Sequence, residues 1–90
     1  MKSIEKDIEY MEGTWAGEKL IKHLPASTYG NLEVAIGVKE TVVKKFEEEF
    51  GYSRNMPEFD RNYAFNVGML DALIKYRDQN KQDWYGKVLS

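Results

Sequence analysis

The stretch from Pro57 to Arg77, PEFDRNYAFNVGMLDALIKYR, limits the fold of this chain more than any other, because it reads as a helix that is apolar around most of its circumference. At about 100° per residue, Phe59, Tyr63, Val67, Leu70, Leu73 and Ile74 fall on one broad face, and Phe65, Met69 and Tyr76 widen it. Asp60, Arg61, Asp71, Lys75 and Asp78 leave only a narrow wet strip. A helix apolar over much more than one stripe needs neighbours on two sides, so this segment is expected at the centre of the fold. Ala64, Gly68 and Ala72 recur every four residues beside the large side chains and allow a second backbone to come close. Tight packing inside a single domain is the plain reading of that ladder.

Residues 3–24 read as a helix with a change of face. Ser3 is a candidate N-cap, although Lys6 stands where a capping box has Glu or Gln. Ile4, Ile8, Met11 and Trp15 keep the 4-3-4 spacing of one narrow stripe, whereas Tyr10, Leu20, Ile21 and Leu24 lie roughly opposite, with Gly13 and Gly17 among them. Two outcomes satisfy this pattern: a break near Gly13 to Gly17, or one continuous helix that uses two faces. Leu24-Pro25 ends the segment, since proline disfavours helical geometry in the residue before it. Residues 26–31 then form a loop.

From Asn31 to Phe50 the alternation of Leu32, Val34, Ile36 and Val38 suggests a strand followed by a helix. One helix explains more: it gathers Leu32, Ala35, Ile36, Val38, Val42, Val43, Phe46 and Phe50 within about 160° and sends Gly37 to the wet side. Gly51 serves as the residue that ends it, and Glu40 to Lys44 is a supportive i, i+4 pair. LEVAIGVKETVVKKFEEEF also resembles the bacterial helix-turn-helix pattern, with Gly37-Val38 as the turn and Lys39, Glu40, Thr41 and Val42 opening a recognition helix. That resemblance implies a DNA-binding regulator using residues 32–50. It departs at Glu33, where the pattern has a small residue, and Glu47, Glu48 and Glu49 would repel phosphates.

Residues 51–56 form a turn. Asn55, with Glu58 three residues on and Pro57 in the first turn, is expected to cap the central helix. A last short helix follows Asn80, with Asp83 as its cap and Trp84, Tyr85, Val88 and Leu89 as its apolar end. At a spacing of 53 residues, Asp7, Tyr10, Glu18 and Leu20-Ile21-Lys22 are echoed by Asp60, Tyr63, Asp71 and Leu73-Ile74-Lys75. Chance is the plain explanation, since two units are too few for a solenoid.

Charge and composition narrow the function classes. The 13 basic and 15 acidic groups are interspersed along all 90 residues, so no segment carries the basic stripe of a nucleic-acid footprint. No run approaches the 18 apolar residues of a membrane span, the N-terminus lacks the apolar core of a signal peptide, and with no cysteine a cytoplasmic setting is expected. His23 is the one histidine and has no carboxylate four residues away on either side, which suits a helix C-terminal cation better than a ligand. Glu5, Glu9 and Glu12 share a solvated face, and Glu47 to Glu49 point in three directions on a helix. No catalytic, cofactor-binding or metal-ligating set emerges, and no small-molecule substrate is evident.

The expected fold is therefore all-α, one helical domain over residues 1–90. Its main helices lie near 3–24, 31–50 and 56–79, with a short C-terminal helix after them. The expected function is a non-enzymatic protein-interaction module, working as a homodimer or as an inhibitor or adaptor of a larger protein. A chain this short hides only about 60% of its unfolded surface, and it holds more aromatic and aliphatic faces than one copy can cover. Ile4, Ile8, Met11 and Trp15, together with Trp84 and Tyr85, are the expected interface residues. In size, mixed charge and lack of motifs the chain looks like the small accessory proteins of bacterial viruses and mobile elements.

Overall fold

The computed structural model describes residues 2–23 and 29–89, the side chains of 29–31 and 80–89 excepted. It is mostly helical. A two-residue strand β1 (Lys2–Ser3) leads into a 3-10 turn (Ile4–Lys6) and helix α1 (Ile8–His23). Helix α2 (Tyr29–Phe50), strand β2 (Asn55–Met56) and helix α3 (Arg61–Leu89) follow.

The central position expected for the Pro57 to Arg77 stretch is observed. Tyr63, Ala64, Val67, Leu70 and Leu73 are buried on α3, and Ile4, Leu32, Ile36 and Val43 complete the core from the other elements. Phe59, Met69, Ile74 and Tyr76 pack against that core half-buried. α2 is antiparallel to α3: the Tyr63 hydroxyl donates to Glu47 Oε2 at 2.8 Å, and Arg77 Nη1 lies 3.6 Å from Glu33 Oε1 near the other end. α1 runs parallel to α3, with Glu9 bonded to Arg61 at its start and Gly17 beside Ala72 further along.

The α1–α3 contact is backbone against backbone. A Cβ placed on Gly13 would overlap the Phe65 carbonyl oxygen, and one on Gly68 would overlap the Tyr10 carbonyl oxygen. On Gly17 it would stand 2.9 Å from Ala72 Cβ and 3.0 Å from the Met69 carbonyl oxygen. Helix 1 is thus continuous through both glycines and uses two faces, the second of the two outcomes the sequence allowed. Glycine here costs helix propensity, but it removes the side chains that would hold the two backbones apart.

Several boundaries differ from expectation for local reasons. Ser3 makes no capping bond; Asp7 caps α1 instead, its Oδ1 accepting the Glu9 N–H at 2.9 Å. Asn55 does not cap α3, because Asn55 and Met56 pair antiparallel with Ser3 and Lys2, and Asp60 Oδ1 accepts the Tyr63 N–H at 3.1 Å. α3 runs unbroken to Leu89 without the stop expected after Asn80; residues 76–85 contain neither proline nor glycine to impose one. α2 is helix throughout, so the Leu32–Val38 alternation is not a strand and the turn that a helix-turn-helix needs at Gly37-Val38 is absent. Gly51, at φ +70, ends α2 as expected, its N–H bonded to the Glu47 carbonyl. Lys44 turns to Glu48 at 3.8 Å rather than to Glu40, an exposed pair of little energetic weight.

These glycines make opposite predictions. Gly13→Ala and Gly68→Leu each force α1 and α3 apart, and overpacking of this kind costs about 1–3 kcal/mol or more. Gly37 is exposed, with nothing within 4 Å of the position a Cβ would take, so Gly37→Ala is expected to stabilise by about 1 kcal/mol through helix propensity alone. Thermal melting checks both signs: lowered Tm for the first two, raised for the third.

Candidate functional site

The sequence placed Ile4, Ile8, Met11 and Trp15 on one stripe, and the structure divides that set. Ile4 lies in the 3-10 turn before α1, not on the helix, and is 1% exposed in the core; its N–H donates to the Arg54 carbonyl at 2.9 Å. Ile4 is therefore corrected from interface to core. Ile8, Met11 and Trp15 stand on α1 opposite Gly13 and Gly17 and are 69%, 44% and 65% exposed. The side chains of Trp84 and Tyr85 lie outside the described residues.

The exposure of the stripe follows from how α1 docks. Its only buried residues are Gly13 and Gly17, so no large side chain of α1 is fully committed to the core. Tyr10 and Ile21 lean against the core from the flank, and everything on the far side faces water. At its N-terminal end the stripe borders a groove lined by Ile8 and Phe59 and by the polar Lys2, Ser3, Lys6, Asp7 and Glu9, so beyond the helix the surface is mixed. Isolated exposed apolar residues are ordinary, whereas here three stand in a row along one helix face and one of them is a tryptophan.

α2 carries a second exposed apolar pair, Val34 at 66% and Val38 at 55%. The sequence reading put Val38 on the buried face, but that arc was too wide. Lys39 occupies the half-buried flank instead and donates to Asn66 Oδ1 at 3.0 Å. Phe50, also expected inward, is 59% exposed, although its ring stacks on Tyr52 with centroids 5.4 Å apart.

The polar groups that do come together form structural ties. Asp71 accepts from Tyr10 Oη at 2.7 Å and from both terminal nitrogens of Arg54 at 2.7 and 2.8 Å. This fork fixes the loop after α2 to the junction of α1 and α3, and a bidentate arginine–carboxylate pair is among the stronger ties a half-exposed site can have. Nothing in it is arranged as a nucleophile beside a base. Glu9 bonds Arg61 at 3.1 Å, Glu12 is exposed, and Glu5 sits in the turn before α1, so the three do not share one helix face as expected. Among the described residues, no three His, Cys, Asp or Glu side chains gather as a metal site would need. No described helix is long and apolar enough to cross a membrane. Compared with known protein families, with curated proteins and with solved structures, the chain matches none of them.

The two tyrosine hydroxyls that donate to carboxylates give the fold a pH dependence. Burial, then the hydrogen bond to a carboxylate, raises the pKa of Tyr10 beside Asp71 and of Tyr63 beside Glu47 well above the ordinary tyrosine value. The folded chain then holds these protons where the unfolded chain, ionising near pH 10, releases them. Stability from this source is complete below about pH 10 and is lost as pH rises beyond it. Urea unfolding at pH 8 and at pH 11 is expected to show the fall, and Tyr63→Phe is expected to reduce its slope.

Proposed function

We propose that this chain is a non-enzymatic protein-interaction module that presents the outward face of α1 to a protein partner. The observation that carries the reading is the exposure of Ile8 and Trp15 on a helix whose opposite side is seated glycine-first on α3. A helix laying spaced apolar anchors against another protein is a common recognition mode, and tryptophan often dominates such contacts. Binding through this face asks for no rearrangement, because the fold does not use these side chains. In this reading the chain acts in the manner of the small accessory proteins it looks like, modulating or inhibiting a larger protein, or acts as a homodimer.

Trp15→Ala is the decisive variant. It is expected to keep the Tm and far-ultraviolet circular dichroism of the parent, because a 65% exposed side chain contributes little to the core. As immobilised bait in extracts of the cells that make the protein, the parent is expected to retain a protein that the variant loses. A variant that captures the same proteins as the parent at equal loading, or one that unfolds, sinks the reading.

A further inference from the structure

We infer that the outward face of α1 pairs with the same face of a second copy of this chain, the two helices antiparallel about a twofold axis between Met11 and Trp15. This rests on the interaction reading above and names its partner.

Spacing and charge carry the argument. Ile8, Met11 and Trp15 continue along α1 to Glu18 and Lys22 in steps of 3, 4, 3 and 4, the alternation that keeps one seam facing a second helix. Ile4 would have extended the seam toward the N-terminus, but it is buried, so the apolar part is short and centred on Met11 and Trp15. In an antiparallel pair related by a twofold axis, each contact occurs twice: Met11 of one copy meets Trp15 of the other, and Ile8 lies over the aliphatic stem of Glu18.

The flank of the seam decides the direction. Glu12 and Lys19 follow Met11 and Glu18 by one position and border the same side; both are exposed. Antiparallel pairing sets such flanking positions against each other, so Glu12 of each copy meets Lys19 of the other. A parallel pair in register would instead bring Glu12 beside Asp7 of the second copy, acid against acid. Charge complementarity of this kind selects orientation more than it adds affinity. With three apolar anchors per copy the contact is small, and a dimer in the micromolar range is expected.

The test uses the full chain and sedimentation equilibrium from about 5 to 500 µM, the span in which interfaces of this size associate. The parent is expected to show a reversible monomer–dimer equilibrium. Glu12→Lys alone and Lys19→Glu alone each place like charges together twice and are expected to weaken the dimer at least about tenfold, with unchanged Tm. An equimolar mixture of the two variants matches opposite charges at both flanks. It is expected to recover the parent's affinity within about threefold, as is the double variant.

A parent that stays monomeric to the top of the range, or a mixture that pairs no better than its components, overturns the inference. If the parent is monomeric while Trp15→Ala still loses a captured protein, self-pairing falls and the interaction reading stands. A dimer indifferent to Trp15→Ala, combined with capture equally indifferent, removes both.

Discussion

The structure depends on the contact of two helix backbones. Gly13 and Gly17 on α1, with Gly68 on α3, let carbonyl oxygens of each helix occupy the space where the other would carry a Cβ. Everything distinctive about α1 follows from that approach. α2 docks in the ordinary way, by inserting Leu32, Ile36 and Val43 into the core. α1 inserts glycines, so its attachment comes from dispersion between closely apposed backbones and from the flanking Tyr10 and Ile21. A helix held in this manner has no need to turn its large residues inward.

The N-terminal segment fixes the rotation of that helix. Ile4 is buried, β1 pairs with β2, and Arg54 joins the arrangement by accepting the Ile4 N–H on its carbonyl while gripping Asp71 with its guanidinium. Asp71 also takes the Tyr10 hydroxyl, so one carboxylate links all three parts: the loop, α1 and α3. The 53-residue echo has a partial physical counterpart. Asp7 and Asp60 both cap their helices, and Tyr10 and Tyr63, one turn on, both donate to carboxylates. The likeness ends there, since Leu73 is in the core while its counterpart Leu20 is exposed.

Hydrophobic periodicity made the helices and the central place of residues 57–77 legible, because a 3.6-residue pattern in a long segment has few alternative readings. It failed where a tertiary contact overrode a local signal. Asn55 has the residues of a cap and Ser3 the position of one, yet both are drawn into a strand pair whose signal is two residues long on each side. Ile4 matched the stripe of α1 by spacing alone, and the 3-10 turn between them removed it from the helical frame. The aromatic-bearing face of α1 was legible because its spacing is regular. Its outward orientation was the expected one, but the pattern left two outcomes open, and which of them holds depends on which face the glycines select. The sequence held one clue to that choice: Gly13 and Gly17 share a face with Tyr10 and Ile21, and Gly68 is the matching small residue on α3.

The separation of the two faces has an energetic consequence. On most helices of small domains the residues that bind a partner lie next to residues that hold the core, so altering one disturbs the other. On α1 the holding residues are glycines whose replacement is sterically blocked, while the outward residues are largely solvated and contribute little to folding. The outward face is therefore free to change without loss of the fold, and the glycine face is not. Under that constraint the fold leaves the side chains at positions 8, 11 and 15 available to a contact outside the chain. Ile, Met and Trp stand there, where polar residues would serve the isolated fold equally well, and this is the physical ground for the proposal that α1 binds through this surface.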